Sequence, residues 1–368
     1  MAVAGGGPAG LATAVALLRE GLTVTVIERS DYSSPRIGEH VPPNAKTALA
    51  SLGLADELAS GRHASCPGIR SVWGSDRLEE RDYLFHPNGE GLNLSRPAFD
   101  LSFATLAEQR GVAVVTDARI AALSRAADGW EVSVERAGTL SETRCRVLID
   151  ATGRTAAIAK RLGATPIVYD ELVGLVGNVA AAPPGNNLVL IEAMSQGWWY
   201  SAGLADGSVI ATYLTDPELI DTSKAKRIHT WREQLKAAPL TAARIAGDDR
   251  AGDLHVRTAR TQRLDETAGD DWIAVGDAAM SFDPLSSEGI SKGLEWGKKA
   301  AVAAVAFCRG DRSAAQAYRD DIDRAFAEYL VTRYRYYAAE KRWPDAPFWR
   351  RRRLPPKPIV ATKPVVEG

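Results

Sequence analysis

Two short segments near the carboxyl end combine residue types that could hold an electron-rich ligand. Residues 272–275 form an apolar run that predicts a buried strand, and Gly276 and Asp277 follow it directly. A carboxylate at a strand end can accept hydrogen bonds from the hydroxyl groups of a sugar or ribityl chain. A helical pattern begins after Gly289, and such a helix start offers free backbone N–H groups to the edge of an electron-rich ring. The pattern alone is ambiguous, because Gly-Asp also occurs in ordinary turns.

A glycine-rich segment at the amino end predicts a dinucleotide site. The pattern Gly5-x-Gly7-x-x-Gly10 precedes a helical repeat of apolar residues that Gly21 is expected to end. Residues 22–27 then alternate as a strand, with Glu28 at its end, close to the spacing of the dinucleotide fingerprint. The glycines would let the backbone approach a pyrophosphate, and the acid could accept both hydroxyls of a ribose. The alternative is a plain strand–helix–strand turn.

A third segment, Asp150-Ala151-Thr152-Gly153-Arg154, closes an apolar run in the same way as Asp277 does. Gly153 would let the chain pass a pyrophosphate, and Arg154 would cap that group with charge. In their order and distances the three segments resemble one family, the FAD-dependent oxidoreductases of the aromatic hydroxylase, geranylgeranyl reductase and flavin halogenase type. The resemblance extends over residues 1–350 and implies an FAD cofactor.

The same resemblance implies roles for further residues. In the family a Gly-Glu segment, here Gly38-Glu39 followed by His40, lies beside the flavin; the alternative is a polar loop. An arginine followed by Phe-Asp holds the phosphate region of FAD, which points to Arg96, or else Arg96 is a charge at a helix start. Arg161 either matches the family pattern or is a solvated helix charge. No metal ligand is predicted, and the predicted cofactor-binding residues are Gly5, Gly7, Pro8, Ala9, Gly10, Glu28, Arg29, Gly38, Glu39, Arg96, Asp150, Gly153, Gly276, Asp277, Pro284, Gly289 and Ile290.

The elements that must position these residues predict an α/β (α+β) protein. We expect a Rossmann-like FAD-binding domain with an inserted antiparallel-sheet substrate domain and a C-terminal helical segment. Only residues 1–4 precede Gly5, so either the first strand is short or the start of the sequence is clipped. The predicted boundaries are 1–63, 95–165 and 256–310 for the FAD-binding domain, 64–94 and 166–255 for the substrate domain, and 311–368 for the C-terminal helix and tail.

Composition narrows the class of protein. The 368 residues carry 45 Lys and Arg against 46 Asp and Glu, a net charge of −1. Nucleic acid is excluded as the main partner, because phosphate binding needs surplus positive charge. The three cysteines, Cys66, Cys145 and Cys308, are widely spaced, so neither a disulfide framework nor a zinc site is predicted and a cytoplasmic location fits. The sequence contains neither an apolar run long enough for a transmembrane segment nor a signal peptide.

An aromatic segment is the candidate for substrate contact. Trp198, Trp199 and Tyr200 follow one another in a predicted strand, and three consecutive side chains cannot all face one side of a sheet. One face can therefore contribute to the core while the other lines a cavity over the flavin. The alternative is that all three belong to the core between layers. No catalytic residue is predicted beyond these three candidates.

The resemblance also separates three activities. Flavin halogenases carry an essential lysine after the first helix pair, but the sequence has no Lys between Lys46 and Lys160. Their Gly-Trp-x-Trp-x-Ile-Pro signature is altered here, since Gly197-Trp198-Trp199-Tyr200 continues with Ser201, Ala202 and Gly203. Geranylgeranyl reductases share the Ser-Glu-Gly-Ile turn but do not typically have the Trp-rich strand. The segment Gly197–Ser201, the turn Asp283-Pro284-Leu285-Ser286-Ser287 and the aromatic segment 341–349 instead resemble the flavoproteins that mature cysteine tryptophylquinone enzymes.

We therefore predict an FAD-dependent monooxygenase that acts on an aromatic, tryptophan-like group, with NADH or NADPH as reductant. A tryptophan side chain within a partner protein is one form that this substrate could take. The alternatives are a small-molecule aromatic hydroxylase or flavin-dependent halogenase and, in another class, a flavin-binding maturation scaffold without turnover.

The carboxyl end has two interpretations. Trp343, Phe348 and Trp349 lie close together in the sequence and precede four arginines, residues 350–353. Aromatic residues and arginine are enriched at interface hot spots, which favours a partner-binding surface. Alternatively the aromatic residues tie the tail to the core, and the arginines are solvated.

Overall fold

The fold is described from a computed structural model, which describes residues 1–181, 185–220, 224–245 and 254–355. The strands are β1 Ala2–Ala4, β2 Thr25–Ile27, β3 His40–Val41, β4 Ala64–Cys66, β5 Gly68–Val72, β6 Glu79–Asp82, β7 Gly91–Asn93, β8 Ala113–Val115, β9 Ala118–Ala126, β10 Gly129–Arg136, β11 Thr139–Cys145, β12 Leu148–Asp150, β13 Pro166–Val168, β14 Val173–Ala180, β15 Val189–Met194, β16 Gly197–Gly203, β17 Ser208–Thr215, β18 His255–Thr258, β19 Gln262–Leu264, β20 Trp272–Ala274 and β21 Met280–Ser281. The helices are α1 Pro8–Arg19, α2 Pro43–Ser51, α3 Ala55–Leu58, α4 Arg96–Gln109, α5 Ala157–Arg161, α6 Lys224–Lys236, α7 Pro239–Ala242, α8 Gly289–Cys308, α9 Ser313–Ala339 and α10 Pro347–Arg352.

A parallel sheet of five short strands carries the predicted motifs. Its order is β20-β12-β1-β2-β8, and every neighbouring pair is parallel. The register places Ala4 beside Asp150 and Asp150 beside Ala274, so three adjacent strands end at one level. Helices α1 and α8 pack closely together, with Gly297 of α8 against Ala12. The Rossmann-like fold predicted from the sequence is confirmed.

A seven-stranded sheet forms the second layer of the molecule. Its order is β18-β14-β17-β16-β15-β5-β6, and its strands run antiparallel except for the parallel pair of β15 and β5. Trp199 packs on one face with Trp231 of α6, at a ring-centroid distance of 5.2 Å. Trp198 lies on the opposite face, among Tyr337 of α9 and Trp349 of α10. The two tryptophans therefore belong to two different cores.

Some elements differ from the sequence-based expectation. The strand predicted over residues 22–27 is confined to β2. The sequence pattern after Arg96 predicts a helix of about ten residues, and α4 has 14. The patterns of residues 112–116, 130–134 and 146–149 predict strands, whereas β9 and β11 alternate weakly, carry many exposed polar residues and give no such signal. Residues 216–247 have a helical pattern, which the structure divides into α6 and α7; residues 221–223 and 246–247 lie outside the described part of the chain.

The carboxyl-terminal aromatic residues serve the fold. Phe348 and Trp349 are fully buried, and the indole N–H of Trp349 donates to the carbonyl of Met194 at 2.8 Å. Arg352 is buried too and forms an ion pair with Asp216. Of the two interpretations of this segment, the structure supports a tie to the core for these residues. The segment from 356 to 368 lies outside the described residues.

Three smaller sheets complete the described fold, with orders β11-β10-β9, β13-β19-β21 and β3-β7-β4. Within the described ranges, no helix has both the length and the apolar character required to cross a membrane. The same residues contain no cluster of His, Cys, Asp and Glu side chains that could hold a metal ion.

Candidate functional site

The three predicted segments meet in space at the ends of β1, β12 and β20, and this meeting point is called the junction below. Gly5 has a φ of +105°, and a Cβ added there would lie 2.3 Å from the carbonyl oxygen of Ala151. Gly276 has a φ of +60°, and its added Cβ would lie 2.7 Å from that of Ala9. A side chain at either position would force the loops apart, so the glycines allow the loops to touch.

Two helix N-termini open onto this junction. Helix α1 follows Gly7, which has no side chain to cap the helix, and α8 follows Glu288, whose side chain makes no capping hydrogen bond. A Cβ added at Gly7 or at Gly289 would meet no atom within 4 Å. Uncapped N–H groups with open space before them can bind an anionic or electron-rich group, and here two such ends face one junction.

The carboxylate of Glu28 holds the glycine-rich loop in place through a hydrogen bond. It is buried, and its Oε2 accepts a hydrogen bond from the Gly6 amide at 2.6 Å. Its Oε1 accepts from the amide and the hydroxyl of Ser30 and from Arg36, at 3.1, 2.6 and 2.9 Å. A carboxylate oxygen has two acceptor positions, and Oε2 has one described partner, so Oε2 can accept one further hydroxyl group. Arg29, also predicted at the site, is exposed at the edge of this loop.

The carboxylate of Asp150 accepts hydrogen bonds from groups of the protein. Its Oδ1 accepts from the amide and hydroxyl of Thr152, at 2.9 and 2.6 Å. Its Oδ2 accepts from the amides of Ile158 and Ala159, at 2.9 and 2.7 Å. Because Asp150 is buried and makes four internal hydrogen bonds, the structure assigns it to positioning the turn. Direct contact of its side chain with the cofactor stays a prediction.

Arg154 links two of the three segments. Its guanidinium donates to the Ser281 hydroxyl at 3.1 Å and to the Phe282 carbonyl at 2.7 Å, and its Nε lies 3.4 Å from Oδ2 of Asp277. The Asp277 side chain is 39% exposed, so its carboxylate stays accessible to a ligand. Arg161, by contrast, donates to the carbonyl of Ile120 and thereby ties α5 to β9. The structure thus favours a structural role for Arg161.

Arg96 holds the Gly38-Glu39 segment in place. Its Nη1 donates to the carbonyls of Ile37 and Gly38, at 2.5 and 3.1 Å. Its Nη2 lies 3.0 Å from Oδ2 of Asp100, which also pairs with Arg36. The guanidinium therefore fixes the loop beside the junction, and a direct contact with a phosphate remains a prediction.

Glu39 directly precedes β3 of the small β3-β7-β4 sheet, and Tyr200 lies in β16 of the seven-stranded sheet. The Glu39 side chain is buried, with 2% of the residue exposed, and its carboxyl group interacts with the backbone amides of Gly38 and of Glu39 itself rather than with a described side-chain donor. Burial raises the pKa of this carboxyl group. The Tyr200 hydroxyl lies by the backbone of His40 and interacts electrostatically with Glu39. Since Trp198 and Trp199 are fully buried, Tyr200 is the member of the aromatic segment that stays partly exposed here.

Sequence reasoning missed several polar residues around this pair. Asn93 donates through Nδ2 to the carbonyls of Asn187 and Gly203, at 2.7 and 3.0 Å, and its Oδ1 lies 3.1 Å from Nδ1 of His40. Arg244 donates to the Ser201 carbonyl at 3.1 Å, and burial lowers its pKa to about 10. Neither residue belongs to a recognisable motif, so only their placement in the fold reveals them.

A cleft of about 300 Å³ opens between α9 and the turn that precedes α8. Asp283 anchors the turn, since its carboxylate accepts hydrogen bonds from Tyr337 and from the amide of Leu285. The turn brings Pro284 and Ile290, both predicted site residues, next to this cleft. The cleft is lined by Phe282, Asp283, Leu285, Ser286, Glu288, Lys292, Ala325, Glu328, Tyr329, Thr332, Arg333 and Tyr336.

Comparison with known proteins agrees with this geometry. A family model described as an FAD binding domain matches residues 1–332. LodB of Marinomonas mediterranea, which bears the description of an FAD-dependent oxidoreductase, is 33% identical over 356 residues, 95% of each chain. The solved structure of QhpG, a peptidyl tryptophan dihydroxylase essential for tryptophylquinone cofactor biogenesis, is 27% identical, with a TM-score of 0.81 over 95% of this chain and 77% of QhpG. The flavin-dependent halogenase CmlS has a TM-score of 0.84 at 21% identity over 97% of this chain and 68% of CmlS, which shows a shared fold.

Proposed function

The chain belongs to the FAD-binding-domain family and is an FAD-dependent oxidoreductase, and we propose that it acts as a monooxygenase on an aromatic, tryptophan-like group. The observation that carries this proposal is Tyr200, a partly exposed aromatic residue in β16 of the seven-stranded sheet, on the face that also packs Leu285 of the turn before α8.

The residues of the junction fit FAD. The glycine loops leave room for a pyrophosphate before α1, Glu28 and Asp277 offer acceptors for ribose and ribityl hydroxyls, and α8 directs free amides at the ring edge. Bound FAD would supply the redox chemistry, taking electrons from a reductant and passing them to dioxygen. The contributions of the chain are to hold the cofactor, to orient the substrate and to exclude water.

The aromatic substrate is expected to lie against Tyr200. Aromatic rings pack favourably on one another, and Tyr200 projects from the same face of β16 as the buried Trp198. Leu285, in the turn before α8, packs near the same cluster. A ring between Tyr200 and this turn would face the proposed flavin position.

We further propose that the aromatic group belongs to a partner protein and that NADH or NADPH supplies the electrons. The description of QhpG as acting on a peptidyl tryptophan supports the first point. The domain boundaries predicted from the sequence remain part of the proposal. So does a cytoplasmic setting, which the three free thiols of Cys66, Cys145 and Cys308 support.

Halogenation is the second candidate, supported by the fold shared with CmlS. Two sequence features argue against it: the absence of lysine between Lys46 and Lys160, and the altered Trp motif at residues 197–203. A flavin-binding scaffold without turnover is the alternative of another class.

The test uses the FAD-loaded protein with ¹⁸O-labelled dioxygen and, as substrates, indole and a peptide with one tryptophan. Electrons come from NADH or NADPH in one arm and from chemically reduced FAD in another, so that a separate reductase is not required. We expect labelled oxygen in the aromatic product and no brominated product when bromide is added. Bromination that needs the intact protein would establish the halogenase, and bound flavin with no product in any arm would favour the scaffold.

A further inference from the structure

Strand β6 forms one edge of the seven-stranded sheet. Among the described strands it pairs with β5 alone, and all four of its residues are exposed. The amide of Tyr83, the next residue, donates to the carbonyl of Pro67 at 2.8 Å. Since hydrogen-bonded positions alternate along an antiparallel pair, the backbone N–H and C=O groups of Glu80 and Asp82 point away from β5. An extended chain from another molecule can pair with this edge.

Two apolar residues, Leu84 and Phe85, follow this edge and are called the apolar tip. They are 75% and 92% exposed, and Phe85 is the most exposed large apolar side chain of the described ranges. Hydrogen bonds fix the turn that carries them: the His86 amide donates to the Tyr83 carbonyl at 2.9 Å, and the Gly89 amide to the His86 carbonyl at 2.8 Å. An apolar surface that is already held in place loses little entropy on binding, so the tip suits a partner protein.

The charge of this surface selects the partner. Residues 79–90 contain four carboxylates and one arginine. Glu80 pairs with Arg70 at 2.8 Å, whereas Glu79 and Asp82 have no ion-pair partner within the described part of the chain. A second copy of this chain that paired β6 with β6 would set Glu80 opposite Asp82, and like charges directly opposite destabilise a strand pair. A strand that carries lysine or arginine is attracted instead.

The base of the apolar tip contacts the predicted cofactor segment. Tyr83 is buried, and its ring stacks on His40 with the centroids 6.4 Å apart and the planes 7° apart. His40 directly follows Gly38 and Glu39, which are predicted to lie beside the flavin. A partner held at β6 and the tip is therefore bound next to that segment.

We propose that β6 and the apolar tip dock an extended, basic segment of the partner protein. The segment adds as a strand along Glu80 and Asp82, its lysine or arginine side chains meet the carboxylates, and an apolar residue packs on Leu84 and Phe85. This inference rests on the proposed function, because it names the surface that receives a protein substrate. Main-chain hydrogen bonds supply affinity in such a complex, and the acidic edge and apolar tip supply specificity.

The experiment titrates defined peptides into the FAD-loaded protein and follows binding by calorimetry. The probe is a short capped peptide in which lysine and valine alternate, with one tryptophan at an end. The comparison peptide has glutamate in place of lysine. We expect the lysine peptide to bind at least roughly tenfold more tightly, because only its charge is opposite to that of the edge.

Variants of the protein separate the backbone contact from the charge and from the tip. Glu80→Pro removes the outward N–H without disturbing the pairing with β5, and Glu80→Gln removes only the charge. We expect Glu80→Pro to bind the lysine peptide roughly 3- to 10-fold more weakly than Glu80→Gln. Phe85→Ser should weaken binding by about tenfold through lost apolar contact. Leu140→Ser, at an equally accessible apolar position in β11, should leave binding unchanged.

Each other outcome overturns the inference. These outcomes are no binding of the lysine peptide, equal affinity for both peptides, equal binding by Glu80→Pro and Glu80→Gln, or equal losses in Phe85→Ser and Leu140→Ser. A dimer in sedimentation analysis that Glu80→Pro dissociates would assign the edge to a second copy of the chain instead. The proposed function is judged separately: labelled oxygen in free indole without peptide binding contradicts only this inference, whereas peptide binding without any oxygenation contradicts only the proposed function.

Discussion

The hydroxyl of Tyr337 donates a hydrogen bond to Oδ2 of Asp283 over 2.7 Å. The same hydroxyl accepts from the indole N–H of Trp198 at 3.1 Å, and Arg333 lies 3.3 Å from the same carboxylate oxygen. Through these contacts α9 and β16 hold the turn that precedes α8. The end of the chain therefore supports the site even though it carries no cofactor motif.

Replacing Tyr337 by Phe should loosen this turn. The change leaves the buried indole N–H of Trp198 without its acceptor and removes one of the donors to Asp283, which costs about 1–3 kcal/mol of stability. We expect a lower urea midpoint and faster loss of FAD on dilution, followed by flavin fluorescence. Tyr336→Phe is the matched control, since Tyr336 is the neighbouring residue and is 57% exposed. Equal behaviour of the two variants would contradict the role of the Tyr337 hydroxyl.

Asp277→Ala tests the accessible acceptor at the junction. We expect FAD affinity to fall by roughly tenfold, as for loss of one hydrogen bond to a charged group. The measurement is equilibrium titration of FAD into the cofactor-free protein. Asp270→Ala, at an exposed position near the start of β20, is the control. If Asp277→Ala and Glu28→Ala together bound FAD as tightly as the wild type, the assignment of this site would fail.

Gly276→Ala separates crowding from backbone strain. Both Gly276 and Gly207 have positive φ, but an added Cβ meets Ala9 at 2.7 Å only at Gly276, whereas Gly207 faces open space. Alanine at either position is destabilising because the backbone keeps a positive φ. Only Gly276→Ala should in addition displace α1. We expect the larger loss of melting temperature and of FAD content at Gly276. Similar losses in both variants would mean that the loops do not touch as described.

The pH dependence of the protein's stability should reveal the titration of the Glu39 carboxyl group. Burial raises the pKa of this carboxyl group above its ordinary 4.5 in the folded state. Between pH 4.5 and that raised pKa the folded protein binds more protons than the unfolded chain, so stability falls as pH rises. Glu39→Gln cannot titrate, so the FAD-free variant should gain stability relative to the wild type across this window. A difference in melting temperature that is constant from pH 4 to pH 8 would argue against it.

Trp349→Ala tests the tie between tail and core. Removing a fully buried indole creates a cavity, with an expected cost of about 3–5 kcal/mol in unfolding free energy. Trp343 stacks on Trp349 at 6.0 Å but is partly exposed, so Trp343→Ala should cost less. Chemical denaturation of both variants provides the comparison. A Trp349→Ala protein as stable as the wild type would instead favour the interpretation that these aromatic residues form a partner-binding surface.

The sequence by itself determined the FAD-binding fold, because its signals are local. Glycines at Gly5 and Gly276, the apolar runs before them and the helix starts after them are each readable within a few residues. Parallel strands that end in such motifs must place them at one edge of a sheet, and β1, β12 and β20 do so. The helix start at Gly289 follows from the same kind of pattern.

Only the tertiary structure decided what the individual side chains do. Asp150 and Asp277 end similar apolar runs, yet four nearby donors enclose the first and the second stays 39% exposed. Trp198, Trp199 and Tyr200 are consecutive, and their separation into two cores and one partly exposed wall depends on which helices cover each face of the sheet. The burial of Glu39 beside Arg96, whose guanidinium donates to Asp100 and to the carbonyls of Ile37 and Gly38, also appears only in the folded chain. Hydrogen-bond partners lie far apart in the chain, so the sequence specifies them only through the completed fold.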